Sequence, residues 1–288
     1  MKGIILAGGV GSRLFPTTRC VSKHLLPIYD KPMIYYPLSV LMHAGIKEII
    51  FITTKRDLNN YKELFGNGSC LGISIEYIIQ DNPNGLPEAF ILSEELISDS
   101  DCCMILGDNI LHGNGLGRKL QSIISNNIGA TITGYHVSDP KRFGVIELDE
   151  TNAIKSIEEK PNNPKSNIAI TGLYFFDKDV SYLSKGLKKS SRGELEIVDL
   201  IDAYLRSNKL SVEVLGRGYS WLDTGTCDSM LEASHFVQTI QHRQGLILGC
   251  IEEIAYQSNW ISDVQLNEAA TRMSGTEYSS YLKSLLTQ

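Results

Sequence analysis

A glycine-rich loop directly follows the first apolar run of the chain. Residues 6–14 are LAGGVGSRL, and the glycines in it let backbone N–H groups approach phosphate oxygens without interference from side chains. Arg13 lies inside this loop, and Lys23 follows it. The planar guanidinium of Arg13 and the compact charge of Lys23 could hold a triphosphate and neutralise charge that develops at a phosphorus atom. The loop therefore indicates nucleotide chemistry, with a tight turn that carries two solvated cations as the alternative.

Two common phosphate-binding loops do not fit these residues. A P-loop needs a lysine directly after its last glycine, and no lysine follows Gly11. A dinucleotide-binding G-x-G-x-x-G needs a third glycine at the position that Leu14 occupies. The expected acidic residue about 20 residues further on, after a second strand, is also missing. These mismatches disfavour an NAD-linked oxidoreductase.

Two aspartates follow apolar segments further along the chain. Asp108 comes after the apolar run 102–106, and Asp223 comes after the segment 219–222. If both segments are strands, both carboxylates lie at the carboxyl ends of strands, where open α/β sheets bind ligands. A turn-forming Asp-Asn pair at 108–109 and a loop or helix-capping Asp at 223 are the structural alternatives.

The elements that must position these residues alternate over the first two-thirds of the chain. Short apolar runs and amphipathic stretches predict an α/β fold with a mostly parallel, doubly wound sheet between helices. Strands are predicted at 3–7, 48–53, 73–79, 102–106, 130–136, 145–148, 154–158, 168–176 and 210–215. Helices are predicted at 33–44, 57–65, 86–96, 196–205 and 226–239, with broken helical patterning over 252–286. We expect an α/β domain over 1–240 and a small helical C-terminal appendage over 241–288.

Composition excludes several classes of protein. The 288 residues carry a formal net charge of −6, so no basic excess exists to neutralise a nucleic acid backbone. No apolar run approaches the roughly 18 residues that a membrane span needs. The first apolar run is too short for a signal peptide, and the six cysteines form no C-x-x-C pair. We expect a cytoplasmic protein that binds neither nucleic acid nor membranes.

The glycine-rich loop and several later motifs resemble the sugar-1-phosphate nucleotidylyltransferases, and among them the short bacterial glucose-1-phosphate thymidylyltransferases. LAGGVGSRL and the following SKHLLPIYDKPMIYYPLS are similar to the family's GGxGTRL loop, K-x-L-L-P segment and YDKPMIYYP. Later matches are GDN at 107–109, EKP at 159–161, RGELE at 192–196, GRGY at 216–219 and WLDTG at 221–225. Because the motifs are collinear over nearly the whole chain, the set is far more specific than any one member. The resemblance implies a Rossmann-like nucleotidyltransferase sheet with sugar-binding insertions.

The resemblance also implies the reaction. A phosphate oxygen of glucose 1-phosphate attacks the α-phosphorus of dTTP, pyrophosphate leaves and dTDP-glucose forms, as the first step of dTDP-deoxysugar synthesis. Such a transfer requires positioning and charge neutralisation more than covalent catalysis. The resemblance makes Asp108 and Asp223 ligands of Mg²⁺, an ion that suits one or two carboxylates plus phosphate oxygens and waters. Arg13, Lys23, Lys160 and Asp108 are the expected catalytic residues.

Binding roles follow from the same resemblance. The expected nucleotide-binding residues are Leu6, Gly8, Gly9, Gly11, Ser12, Arg13, Gln80, Gly85 and Asp108. The expected sugar-phosphate-binding residues are Asn109, Gly144, Glu159, Lys160, Ile170, Tyr174 and Arg192. In the family, a glutamine and a glycine at the positions of Gln80 and Gly85 contact the thymine base. A side-chain amide suits that edge because it both donates and accepts hydrogen bonds.

Several positions depart from the family pattern. Ser12 replaces threonine and keeps its hydroxyl, whereas Phe143 replaces tyrosine and loses a hydroxyl near the sugar. Pro87 and Glu88 replace the Ala-Gln of a usual LAQAF beside the base. The same chemistry with UTP or with another sugar 1-phosphate is therefore an alternative. A non-catalytic nucleotide-sugar binding protein is the second alternative.

Assembly and regulation are further expectations from the resemblance. Family members of this length are homotetramers, with the C-terminal region at a subunit interface and often a second nucleotide site used for feedback. Arg217, Glu253 and Ile254 lie in the matching region of this chain. Gly117 and Gln257 stand where a histidine and an arginine are expected, so we predict weak feedback at that site.

Overall fold

The computed structural model describes residues 1–9 and 11–287 of the chain. Val10, which belongs to the predicted glycine-rich loop, and Gln288 lie outside the described residues. The strands in the described part are β1 (Lys2–Leu6), β2 (Pro27–Ile28), β3 (Lys31–Pro32), β4 (Glu48–Thr53), β5 (Ser74–Ile79), β6 (Cys102–Leu106), β7 (Asn109–Gly113), β8 (Ala130–His136), β9 (Gly144–Leu148), β10 (Ile154–Glu159), β11 (Ile168–Phe176), β12 (Leu210–Leu215) and β13 (Tyr219–Asp223). The helices are α1 (Tyr35–His43), α2 (Leu58–Phe65), α3 (Glu88–Leu92), α4 (Glu94–Ile97), α5 (Leu116–Asn126), α6 (Val180–Lys185), α7 (Ile197–Arg206), α8 (Cys227–Gln244), α9 (Ile251–Gln257), α10 (Asp263–Arg272) and α11 (Glu277–Leu285).

The central strands form a parallel sheet. Strand β1 lies between β4 and β6, and β5 extends the sheet beyond β4, all in parallel pairing. Leu6 at the end of β1 pairs with Leu106 at the end of β6. The glycine-rich loop and the segment that carries Asp108 therefore leave the sheet side by side, at the carboxyl ends of their strands.

The other half of the sheet is mixed. Strand β11 pairs antiparallel with β6, β8 and β9, and β10 pairs antiparallel with β9, while β12 runs parallel to β8. A separate two-stranded ribbon joins β7 to β13, in which Asp223 pairs with Asn109. This ribbon brings the second aspartate next to the first.

Alternate residues of the strands point into two hydrophobic layers. In β1, Ile5 belongs to the layer under α1, α5 and α9, whereas its neighbour Ile4 belongs to the layer under α3, α6 and α7. Both isoleucines are fully buried. Because helices cover both faces, the central strands are apolar throughout, as parallel sheets require. The predicted α/β class with a mostly parallel sheet is confirmed.

The C-terminal helices pack into one of these layers. Ile251 and Leu266 of α9 and α10, and Leu282 of α11, belong to the same hydrophobic cluster as Ile5. Ser262 caps α10 in a reciprocal capping box with Gln265, which fixes the start of that helix. The boundary between an α/β domain at 1–240 and a helical appendage at 241–288 stays a prediction. The location of the last helices at a subunit interface also stays a prediction.

The structure corrects one predicted helix and adds another that the sequence analysis did not include. The single helix predicted over 86–96 is wrong, because α3 ends at Leu92 and α4 begins at Glu94. Ser93 separates them, and its hydroxyl donates to the Ala89 carbonyl at 2.6 Å, beside the hydrogen bond of its own N–H to the same carbonyl at 3.0 Å. A serine hydroxyl that donates back to the preceding turn in this way often bends a helix. Helix α5 was not predicted, although Leu116, Leu120 and Ile123 form its buried stripe. Among the described residues, no helix has the length and apolar character needed to cross a membrane.

Candidate active site

A buried ion pair lies at the carboxyl ends of β1 and β6. Lys23 begins a short 3₁₀ turn, Lys23–Leu25, and its ammonium group donates a hydrogen bond to the Asp108 carboxylate. Only 12% of the Lys23 side chain and 11% of the Asp108 side chain are exposed. Burial by itself raises the pKa of Asp108, but the Lys23 charge, together with the neighbouring His24 and the hydrogen bonds from Lys23 and Asn109, more than offsets this and holds that pKa well below its usual range. Asp108 is therefore an anion in the folded protein.

Asp223 is the second carboxylate of the site. It ends β13 and pairs with Asn109, the residue that follows Asp108. Thr224 fixes this approach, because its backbone N–H and its hydroxyl both donate to the Asp108 carbonyl, at 3.1 and 2.7 Å. Burial, followed by repulsion from the Asp108 carboxylate, raises the pKa of Asp223. A divalent cation bound between the two carboxylates would offset this repulsion, so the pair is a candidate metal site.

The glycine-rich loop brings Arg13 to the same place. Gly11 has a φ of 69°, which favours glycine, and its carbonyl accepts a hydrogen bond of 2.7 Å from the Thr18 hydroxyl. Arg13 follows in a 3₁₀ turn, and its guanidinium lies against Gly225. A Cβ atom at Gly225 would lie 3.1 Å from a guanidinium nitrogen, so a small residue leaves room for Arg13.

One cavity of about 260 Å³ joins Arg13, Asp108 and Asp223 to most of the predicted sugar-phosphate residues, and Lys23, which is not part of the lining, contacts it through Asp108. The predicted residues that line it are Arg13, Asp108, Asn109, Gly144, Glu159, Lys160, Ile170, Tyr174 and Asp223. Lys160 has a φ of 44° and donates to the adjacent Glu159 carboxylate at 2.6 Å. Burial, with further contributions from the Glu159 and Asp108 charges, raises the pKa of Tyr174, so its hydroxyl stays protonated. The cavity thus presents cations, carboxylates and a neutral hydroxyl within one space.

The cavity does not include every predicted residue. Arg192 is absent from the lining; its guanidinium lies 3.7 Å from the Glu159 carboxylate and donates to Glu196 at 2.6 Å. Gln80 and Gly85 lie beyond it, although Leu86 is part of the lining. Gln80 packs against Gly8, where a Cβ atom would lie 2.6 Å from Gln80 Oε1. Gln80 therefore contacts the glycine-rich loop and not the cavity.

The backbone at position 85 requires a glycine. Its φ of 106° lies in the region that favours glycine, and a Cβ atom there would lie 2.0 Å from the Leu195 carbonyl oxygen. The Leu195 N–H donates to the neighbouring Asn84 carbonyl at 2.7 Å. This bridge ties the segment after β5 to the segment before α7.

Three residues of the site were missed by sequence reasoning. The Trp221 indole donates to Asn109 Oδ1 at 2.5 Å, and the Gly172 N–H donates to the same oxygen at 3.1 Å. Arg142 also lines the cavity. Trp221 lies in a motif that the sequence singles out, but its partner is 112 positions away, and no local pattern indicates that contact.

A larger cavity of about 840 Å³ lies where the second nucleotide site was predicted. Its lining includes Glu253, Ile254, Gly117 and Gln257, but not Arg217. A Cβ atom at Gly117 would lie 2.8 Å from the His43 carbonyl oxygen, so the backbone there leaves no room for the histidine of the family pattern.

Comparison with known proteins decides the family. The model of the nucleotidyl transferase family matches residues 2–240 of the chain. The chain belongs to this family. A glucose-1-phosphate thymidylyltransferase of Neisseria meningitidis is 53% identical over 286 residues, which cover 99% of each protein. One of Mycobacterium tuberculosis is 49% identical over 286 residues, again 99% of each.

Solved structures agree with this result. A crystal structure from Bacillus anthracis, described as a glucose-1-phosphate thymidylyltransferase in complex with sucrose, superposes with a TM-score of 0.76. It is 39% identical and covers 82% of this chain and 94% of its own. A UDP-glucose pyrophosphorylase at 23% identity and a TM-score of 0.73, covering 83% of this chain and 98% of its own, shares the fold. The family resemblance inferred from the motifs is confirmed, and enzymes of this family generally use a divalent metal ion.

Proposed function

We propose that this nucleotidyl transferase joins dTTP and glucose 1-phosphate to give dTDP-glucose and pyrophosphate. The observation that carries the proposal is the single cavity lined by Arg13, Lys160, Asp108 and Asp223. It occurs in a chain about half identical, over nearly its whole length, to thymidylyltransferases that act on glucose 1-phosphate.

The nucleotide binds along the glycine-rich loop. Backbone N–H groups of the loop hold phosphate oxygens, since glycine leaves them accessible. The loop residues assigned to this role are Leu6, Gly8, Gly9, Gly11, Ser12 and Arg13. Gln80 and Gly85 contact the base, and Gln80 is suited to this because its side chain packs against Gly8 of the loop.

The sugar phosphate occupies the cavity. Glu159 accepts hydrogen bonds from sugar hydroxyls, and Lys160 beside it holds the phosphate. Asn109 Nδ2 already donates to Asp108 at 3.0 Å, while Trp221 and Gly172 occupy its oxygen, so this side chain has one fixed orientation. Gly144, Ile170 and Tyr174 form the walls of the cavity. Arg192 lies outside the lining and forms an ion pair with the Glu159 carboxylate.

In the reaction, a phosphate oxygen of the sugar phosphate forms a bond to the α-phosphorus of dTTP. The bond from that phosphorus to the bridging oxygen breaks, and pyrophosphate leaves with the electron pair. No side chain forms a covalent bond, because the chain's contribution is positioning and charge neutralisation. Arg13 and Lys23 neutralise the triphosphate, and Lys160 orients the attacking oxygen.

Mg²⁺ fits the two carboxylates. Asp108 and Asp223 would hold it, since their mutual repulsion raises the pKa of Asp223 and oxygen ligands are those that Mg²⁺ prefers. The ion would supply charge stabilisation at the phosphate oxygens. We also propose that the protein forms a homotetramer and is located in the cytoplasm. Light scattering after gel filtration tests the homotetramer.

Release of pyrophosphate from glucose 1-phosphate and Mg²⁺, measured in parallel with dTTP, UTP, CTP, ATP and GTP, tests the function. We expect the fastest release with dTTP and a loss of about a hundredfold or more in Asp108→Asn and in Asp223→Asn. Asp99→Asn is the matched control, because Asp99 is exposed and lies 3.8 Å from Lys2 at the amino end of β1. If pyrophosphate release is fastest with another nucleotide, the enzyme prefers that nucleotide's base over thymine. No release with any nucleotide would favour a different sugar phosphate or a non-catalytic binding protein.

A further inference from the structure

A carboxylate stands where the family pattern has a glutamine, and it contacts the residue assigned to the base. Glu88 begins α3, and its two carboxylate oxygens each accept one hydrogen bond from a side-chain amide. Gln80 Nε2 donates to Oε2 at 2.6 Å, and Asn84 Nδ2 donates to Oε1 at 2.7 Å. An ionised carboxylate only accepts, so both amides must present their NH₂ groups to it.

The orientation of the Asn84 amide is also fixed, by its other hydrogen-bond partner. Lys189 Nζ donates to Asn84 Oδ1 at 2.8 Å, and an ammonium group only donates. Asn84 therefore has its oxygen towards Lys189 and its NH₂ towards Glu88. Because Lys189 only donates and Glu88 only accepts, Asn84 between them and Gln80 on the other side of Glu88 each have a single consistent orientation.

The remaining atom of Gln80 then faces the glycine-rich loop. Gln80 Oε1 lies against Gly8, 2.6 Å from the position that a Cβ atom would take there. Gln80 is 6% exposed, so reversing its amide would place an NH₂ group at this buried position and a carbonyl oxygen against the Glu88 carboxylate. Among the described residues, no donor occupies Oε1. The network thus offers one unoccupied hydrogen-bond acceptor at the loop.

We propose that Glu88 is a positioning residue for base selection, which holds the Gln80 amide with its oxygen towards the nucleotide and so requires a base with a ring N–H at that point. The inference rests on the proposed function, in which Gln80 contacts the base. Thymine and uracil carry a ring N3–H that donates to such an oxygen. Cytosine has a lone pair on N3, which would face the oxygen without a hydrogen between them. The site therefore accepts thymine and uracil nucleotides and rejects cytosine nucleotides, without distinguishing thymine from uracil.

The test compares Glu88→Gln with the wild type. A glutamine at 88 must accept from Asn84, whose orientation Lys189 fixes, so its NH₂ group faces Gln80 and favours the reversed Gln80 amide, with the oxygen turned away from the base. We expect the ratio of kcat/KM for dTTP over dCTP, with glucose 1-phosphate, to fall about tenfold, the cost of one mismatched buried hydrogen bond. The ratio for dTTP over dUTP stays unchanged, because both bases carry the N3–H. A merely structural role would lower kcat/KM for all three nucleotides alike and would overturn the proposal.

Glu94→Gln is the matched control. Glu94 begins α4, and its carboxylate pairs with the exposed Lys185 at 2.5 Å, away from Gln80. This variant makes the same chemical change, and we expect both ratios to stay at the wild-type values.

Equilibrium binding separates this inference from the proposed reaction. Calorimetric titration of the wild type and Glu88→Gln with dTTP and with dCTP, without sugar phosphate, is expected to show the same tenfold change in the affinity ratio. If the wild type binds dTTP over dCTP but releases no pyrophosphate, the proposed reaction fails and the base selection stands. If the wild type binds dCTP as well as dTTP, or if the ratio in Glu88→Gln equals that of the wild type, the inference about Glu88 is wrong.

Discussion

Replacement of Lys23 by methionine tests the electrostatic arrangement of the site. Methionine keeps most of the side-chain volume but removes the charge that faces Asp108. Both side chains of this pair are about nine-tenths buried, so the pair belongs to the class in which loss of one partner leaves an uncompensated charge. Such losses cost about 3–5 kcal/mol, and we expect about 3 kcal/mol, because Asn109 still donates to Asp108 Oδ1 at 3.0 Å.

The pH dependence of that cost has a definite sign. In the wild type the folded pKa of Asp108 lies below its unfolded value, so the pair stabilises the fold above about pH 4 and this stability is lost as the pH falls further. Without Lys23, burial and the neighbouring Asp223 remain, so the folded pKa of Asp108 rises above its unfolded value. Stability is then lost as the pH rises above about 4. The free energy that Lys23→Met costs should therefore be larger at about pH 7 than at about pH 5.

Urea unfolding followed by circular dichroism measures these quantities for Lys23→Met, Asp108→Asn and the double variant. The double variant removes both charges of the pair, so it should be more stable than the sum of the single costs predicts, with a coupling energy of about 2 kcal/mol. Additive costs, with a coupling below about 0.5 kcal/mol, would refute the reasoning. A cost for Lys23→Met that stays constant between the two pH values would also contradict it.

Two other variants test the geometry around the site. Gly85→Ala places a Cβ atom 2.0 Å from the Leu195 carbonyl oxygen at a φ of 106°, so it should lower the unfolding free energy by about 2 kcal/mol and raise the KM for dTTP, both measurable by urea unfolding and pyrophosphate release. Gly216→Ala, where a Cβ atom meets nothing within 4 Å, is its control, and an equal loss there would contradict the steric argument. Trp221→Phe removes the indole N–H that bonds Asn109 at 2.5 Å, so the KM for glucose 1-phosphate should rise about fivefold while the KM for dTTP changes little. An equal rise for both substrates would show that Trp221 acts on the fold and not on the sugar side.

The sequence predicted the central strands well because their signal is local. Strand β4 has the predicted bounds, Glu48–Thr53, and β6 likewise, since continuous β-branched or apolar runs mark strands buried on both faces. The position of Asp108 after β6 follows directly from that run. The proximity of Asp223 to Asp108 does not, because the β7–β13 ribbon pairs residues more than a hundred positions apart and no local pattern specifies that pairing.

The network around Gln80 shows a second limit. The sequence identifies Glu88 as a departure from the family pattern beside the base. Its contact with Gln80 depends on α3 packing beside the end of β5, an arrangement that the spacing of eight residues does not determine. Similarly, the helix is interrupted at Ser93, where the hydroxyl donates back to the Ala89 carbonyl, although the apolar pattern continues across this position.

Phosphorus NMR of the complete reaction tests the central claim most directly. The protein is mixed with dTTP, glucose 1-phosphate and Mg²⁺, and the phosphorus resonances of every species are followed together. We predict that dTDP-glucose and pyrophosphate appear in equal amounts as both substrates disappear, and that both form about a hundredfold or more slowly with Asp108→Asn. Conversion of dTTP to dTMP and pyrophosphate without a sugar nucleotide, or no change in either substrate, would contradict the account.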